Sequence, residues 1–226
     1  MNSPATPDQA KYKLTVNGVT YTLLPNPNNS PTGKKNSFDG VVGGNAVSLF
    51  LNNNAAHATI ANPQIQTSNG LQQFFGIFGT PTEIANLPNS AKYVGIGEIS
   101  IDDSSNGFDD APGSVVTLNA NFSRQTISGK IDVTDVAGDS TGGVFDIDGT
   151  TLVPLTGTIS GNSFEVIPDY TGLAAITGLQ SVTNQPIGGG FYGPNGENAV
   201  AVGLSSAQAV TPGDVLIYTR IQADAQ

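Results

Sequence analysis

The chain has no cysteine, no tryptophan, one histidine and one methionine. Without cysteine there are no disulfides, no thiolate metal sites and no cysteine nucleophiles. A single histidine excludes a multi-histidine metal centre within one chain. A thiol-free sequence suits an oxidising compartment, where stray thiols are a liability. Charge is scarce too: 12% of residues are Asp, Glu, Lys or Arg, against about a quarter in ordinary globular chains. No apolar run approaches the ~20 residues that carry a helix across a bilayer. Enzyme signatures are missing as well. There is no Gly-x-Ser-x-Gly elbow, no phosphate loop and no dinucleotide fingerprint, so the chain is not expected to be an enzyme.

What is present points to a β-rich exported protein. The polar surface must come from Asn, Ser, Thr and Gln, punctuated by 28 Gly and 14 Pro. At 226 residues the chain fits one ordinary domain, or one domain with a smaller companion. The net charge of −10 makes nucleic acid and anionic membrane poor partners. The start, Met1-Asn2-Ser3-Pro4, lacks a basic region followed by an apolar stretch, so no signal peptide is read there. Together with the composition, this fits a mature protein found outside the cell or on its surface. With no cysteine, the chain as given offers no lipid-anchor site.

Strand signals run along the whole length. Lys11 to Val16 and Val19 to Leu24 flank Asn17-Gly18, the strongest short hairpin signal. Pro25 to Gly40 reads as a loop. Val47 to Leu51 and Ala58 to Ile60 read as short strands, and Thr80 to Glu83 as the opening of a helical turn before Pro88. From Lys92 onward eight to nine short strands recur with turn signals every 8–12 residues, as in an antiparallel barrel or sandwich. Charge divides near residue 88. Residues 1–88 hold Lys11, Lys13, Lys34 and Lys35 against Asp8, Asp39 and Glu83, so the negative excess lies beyond them. The fold class is therefore all-β: a small β-rich handle at 1–88 and an eight-stranded antiparallel barrel at 89–226. The Val, Leu, Ile and Phe positions, including Phe122 and Phe145, are expected to fill the barrel.

Three stretches carry a resemblance. Asn119 to Ile131 (Asn-Ala-Asn-Phe-Ser-Arg-Gln-Thr-Ile-Ser-Gly-Lys-Ile) resembles the x-A-D-F-x-N-x-T-x-S-G-x-I hairpin of the transferrin-binding protein B barrel. Leu155 to Phe164 is similar to that family's next hairpin. Gly189-Gly190-Phe191-Tyr192-Gly193-Pro194-Asn195-Gly196-Glu197 resembles its G-x-F-Y-G-P-N-A-x-E motif. Asn198 to Gly203 departs from the family's glycine-rich continuation, and Val215 to Arg220 lacks its Phe-Gly pair. The resemblance covers about residues 90–226. It implies surface or secreted proteins exported by an outer-membrane assembly-modulator translocon. The relatives include binders of host proteins and secreted haem carriers, the hemophilins.

The candidate site residues follow from chemistry and from that resemblance. His57 lies among small neighbours, Asn52 to Thr59, which leave room for a flat ligand, and haem iron commonly takes a His ligand. Phe74, Phe75, Ile77 and Phe78 would supply an apolar wall, and Lys34 and Lys35 would pair with propionates. The plainer alternatives are a polar loop histidine and phenylalanines that fill a small core. Asp102 to Asp110 has oxygen ligands spaced like the start of a calcium loop. It lacks the twelfth-position glutamate, so it reads as an acidic loop. Three functions are weighed. The first is a secreted haem-binding hemophore, with haem as its cofactor, delivering to an outer-membrane haem receptor. The second is a surface module recognising a host protein. The third is a structural or adhesive surface protein.

Overall fold

A computed structural model describes residues 12–16, 19–25, 37–42, 44–52, 54–68, 70–103, 107–111, 113–134, 150–208 and 214–226. Two compact units emerge. One comprises residues up to Asn53 together with Thr59–Phe78, and the other comprises Asn54–Ala58 and Gly79–Gln226. The chain therefore divides at Phe78/Gly79, ten residues before the 88/89 boundary read from charge, and the Asn54–Ala58 loop belongs to the second unit.

The first unit is a sheet. Among the described residues its strands are β1 (Tyr12–Val16), β2 (Val19–Pro25), β3 (Ser37–Val42), β4 (Asn45–Asn52), β5 (Ala58–Thr67), β6 (Gly70–Gln73) and β7 (Gly76–Gly79). They pair in chain order, and β7 joins β5. The Asn-Gly hairpin forms as expected, with Tyr12 opposite Leu23 and Val16 opposite Val19. Alternation buries one face, where Leu23, Phe38, Val47, Leu49, Leu51, Ala61 and Ile65 form the core. On the other face the Ser48 hydroxyl donates to Asp39 over 2.8 Å.

The second unit is a closed barrel. Its strands are β8 (Ser90–Asp103), β9 (Gly107–Ala111), β10 (Val115–Asn121), β11 (Thr126–Thr134), β12 (Thr150–Ser160), β13 (Ser163–Pro168), β14 (Ser181–Thr183), β15 (Ile187–Tyr192), β16 (Asn198–Gln208) and β17 (Asp214–Ala225). Eight of them make the ring β8-β10-β11-β12-β13-β15-β16-β17, and pairing of β10 with β8 closes it. All pairings are antiparallel. β9 and β14 lie outside the ring, on the far halves of β8 and β16. Closure demands sharp coiling, and glycines in mid-strand permit it. A Cβ on Gly129 would collide with the Thr117 carbonyl, and one on Gly157 with the Glu165 carbonyl.

Strict alternation sends one set of side chains inward. Val116, Leu118, Ile127, Ile131, Val153, Leu155, Phe164, Val166, Ile217 and Ile221 belong to one continuous core. The interior is packed with side chains, as an eight-stranded barrel allows. Phe122 packs against this core, whereas Phe145 lies outside the described residues.

The two ends of the barrel are built differently. At one end short turns join the strands: 122–125, 161–162 and 193–197. Phe191 sits there at the centre of an aromatic knot, 4.8 Å from Phe122, 5.0 Å from Phe164 and 5.5 Å from Tyr93, ring to ring. At the other end three of the four ring connections are long: 104–114, 135–149 and 169–186. One contains helix α1 (Thr171–Thr177), whose Leu173 joins the core. The sequence reading missed α1, although its ends carry signals. The Asp169 carboxylate accepts from the Thr171 N–H over 3.0 Å, and Gly178 closes the helix in the left-handed region at φ 72°. Beneath it the Tyr170 hydroxyl meets Thr219 at 2.5 Å, which satisfies both buried groups. The expected turn before Pro88 is present as a short 3-10 turn, Ile84–Asn86.

Candidate functional site

His57 stands on the barrel unit. Its ring is exposed, and its backbone N–H donates to Asn198 Oδ1 over 2.8 Å. Asn198 is itself buried and donates to Asp224, so the loop is fixed to the strand pair β16–β17. The imidazole lies over Gly193, where an added Cβ would come 2.7 Å from its Cδ2 and would strike the Glu197 carboxylate. Gly193 has φ 91° and Gly196 φ 75°, values that favour glycine. The turn is therefore rigid for local reasons, and further bonds fix it. The Gly193 N–H donates to Thr80, the Thr82 hydroxyl donates to the Gly193 carbonyl at 2.7 Å, and the Tyr93 hydroxyl donates to the Gly196 carbonyl at 2.9 Å.

Electrostatics follow this geometry. The Asn195 N–H holds the Glu197 carboxyl below its ordinary range, with the Asn195 side-chain amide and the charge of His57 adding. Burial pushes the Tyr93 hydroxyl upward, and the nearby Glu197 charge adds to the shift. Phe191 and Tyr192 take opposite faces of β15. Phe191 is buried in the knot, and Tyr192 lies outside against Gly79 and Gly190. Partners 141 residues away in sequence gave no local signal for the link between His57 and Asn198.

Phe74, Phe75, Ile77 and Phe78 belong to the first unit. Phe74 is 45% and Phe78 62% exposed, while Phe75 and Ile77 are half-buried. Lys34 and Lys35 lie outside the described residues. The acidic stretch is a strand pair: Asp102 stands opposite Phe108 and Asp103 opposite Gly107. Among the described residues no three of His, Asp and Glu gather as a metal cluster, and no helix is long and apolar enough to cross a membrane. An open cavity of about 220 Å³ at the short-turn end is lined by Ile84, Leu87, Phe122 and Ile159 among others.

The model of the C-lobe and N-lobe β-barrels of transferrin-binding protein B matches residues 87–208, over half of the chain. The chain belongs to this transferrin-binding protein B barrel family. Solved transferrin-binding proteins B share its fold. A double mutant from Haemophilus parasuis Hp5 aligns at TM-score 0.58 and 16% identity, over 95% of this chain and 41% of that one. The isotype 1 protein of serogroup B Neisseria meningitidis aligns at 0.53 and 19%, over 95% and 39%. An intact protein with N and C lobes aligns at 0.53 and 17%, over 95% and 42%. This chain thus spans about two fifths of the length of those proteins. At such identities the likeness is one of fold. No curated protein matches the chain in sequence.

Proposed function

We propose that this transferrin-binding protein B-like chain is a surface-exposed module that recognises a host protein, with the iron-carrying transferrins as the first class to test. The observation that carries this reading is the family match over the closed barrel, residues 87–208, in a family named for binding a protein. The filled barrel supports it: its interior is occupied by the chain's own side chains, which leaves outer surfaces and end connections for recognition. The haem-carrier expectation has less support. The family model and the solved relatives are named for binding transferrin, not haem. Export through an assembly-modulator translocon and delivery to a haem receptor rest on the resemblance alone.

The test is direct. The chain is immobilised and titrated by biolayer interferometry with iron-loaded and iron-free transferrins from several hosts, with hemin-loaded albumin as control. Saturable binding of at least one transferrin at or below about 10 μM is expected, a range suited to a transient surface encounter. Failure of every transferrin to bind overturns the transferrin assignment.

A further inference from the structure

Among the described residues the barrel's outer wall carries exposed apolar side chains on β10, β12, β13 and β17. Val115 on β10, Leu152 on β12 and Ile167 on β13 point away from the filled interior and are 43%, 51% and 45% exposed. Ile176 on α1, which packs on β12, is 38% exposed. Cross-strand register puts Val115 and Leu152 in one row on the outward face, with Ile167 further along the same face. Val115 stands opposite Asp132, and Asp132 opposite Leu152, in one row across three neighbouring strands. Ile167 lies opposite Thr156 on the next pair, and the Asp169 N–H donates to the carbonyl of exposed Pro154 over 2.9 Å. Apolar side chains and carboxylates therefore alternate on one sheet face. Grouped exposed apolar side chains on a soluble surface call for a partner.

Charge selects that partner. Residues 89–226 hold 15 acidic residues. Among the described residues seven of them lie on or beside the strand ends at the long-connection end: Asp102, Asp103, Asp109, Asp110, Asp132, Asp169 and Asp214. Of the four cations in 89–226, Lys130 is paired with Asp132 at 2.8 Å and Arg220 with Glu98, while Lys92 and Arg124 sit at the short-turn end. The Thr171 hydroxyl and N–H hold the Asp169 carboxyl below its usual range, so it stays ionised. Such a field attracts basic surfaces, accelerates their encounter and repels acidic ones.

We infer that the outward face of β10–β13 at this end, centred on Val115, Leu152 and Ile167 among carboxylates, docks a basic protein segment that presents apolar side chains. This inference rests on the protein-binding reading above and names its surface and the chemistry of its partner. An extended segment suits a sheet face, because alternate residues then point the same way. Its aliphatic residues would cover Leu152 and Ile167 while its lysines or arginines face the aspartates.

The full chain, labelled with nitrogen-15, is titrated with three synthetic peptides of equal length: alternating Lys-Leu, alternating Glu-Leu and alternating Lys-Ser. The Lys-Leu peptide alone should move amide signals, clustered on β10, β12, β13 and α1. Its affinity should fall severalfold between 50 and 200 mM salt, as screening predicts. The outward double variant Leu152→Ser, Ile167→Ser should weaken it about tenfold with an unchanged circular dichroism spectrum. Shifts centred elsewhere, an equal response to Lys-Ser, or undiminished binding by the double variant would overturn the inference. The peptide arm involves no transferrin. Peptide docking without transferrin binding would sink only the transferrin assignment, and transferrin binding that ignores the double variant would sink only this surface.

Discussion

Phe191 gives the sharpest test of how the barrel is held together. It is fully buried and touches Tyr93, Phe122 and Phe164 at the short-turn end. Its neighbour Tyr192 stands on the opposite face of the same strand, half-buried against Gly79 and Gly190. Phe191→Ala removes the centre of the knot. A buried Phe→Ala costs about 3–5 kcal/mol, because the cavity collapses only partly. That range takes in the loss of ring contacts worth about 0.5–1.5 kcal/mol each. For a unit of this size each kcal/mol moves the melting temperature by about 2–4 °C, so about 4 kcal/mol predicts a fall near 12 °C. Tyr192→Ala removes only partial packing on the outside, at about 1 kcal/mol and about 3 °C. Phe191→Leu keeps most of the apolar volume and should recover more than half of the loss. Scanning calorimetry on the three variants, following the barrel transition, reads these values. Equal losses for Phe191→Ala and Tyr192→Ala would refute the inward–outward assignment of this strand and the packing argument with it.

Other expectations are equally specific. Gly193→Ala forces a side chain into a left-handed position against the His57 ring and the Glu197 carboxylate, and should cost about 1–3 kcal/mol in urea unfolding; a neutral result would contradict the geometry of the turn. Burial pushes Tyr170 and Tyr218 up to about 12, a nearby Asp102 charge adding to the rise at Tyr218. A raised tyrosine stabilises the fold below its unfolded value of about 10 and withdraws that stability as pH climbs towards 12. Absorbance at 295 nm should therefore rise late for these tyrosines and together with loss of circular dichroism, and full ionisation near pH 10 in a folded chain would disprove it. If the chain recognises protein alone, hemin should give the same Soret spectrum with wild type and with His57→Ala; a nitrogen-ligated band lost in the variant would support the haem reading.

The first hairpin, Tyr12–Val16 with Val19–Pro25, was legible because Asn-Gly fixes a two-residue turn between β-branched and aromatic runs. The hairpin Val115–Asn121 with Thr126–Thr134 and the inward alternation of Val116, Leu118, Ile127 and Ile131 were legible for the same local reason: period two sorts side chains to two faces. The motif Gly189 to Glu197, together with the hairpins at Asn119–Ile131 and Leu155–Phe164, carried the family. Helix α1 was hidden in a seven-residue stretch, Thr-Gly-Leu-Ala-Ala-Ile-Thr, too short for a helical period to stand out.

Local sequence thus determined the strands, the turns and the all-β class, since each depends on neighbours a few residues apart. Closure of the ring depended on β8 meeting β10 on one side and β17 on the other, pairings that no local pattern encodes. Only the tertiary structure could assign His57 to the barrel, because the bond that holds it reaches Asn198 across most of the chain. Only it could place Val115, Asp132 and Leu152 in one row. In the sequence they are three unremarked residues. A surface is made by register between strands, and register is fixed by the folded sheet, not by the order of residues along it.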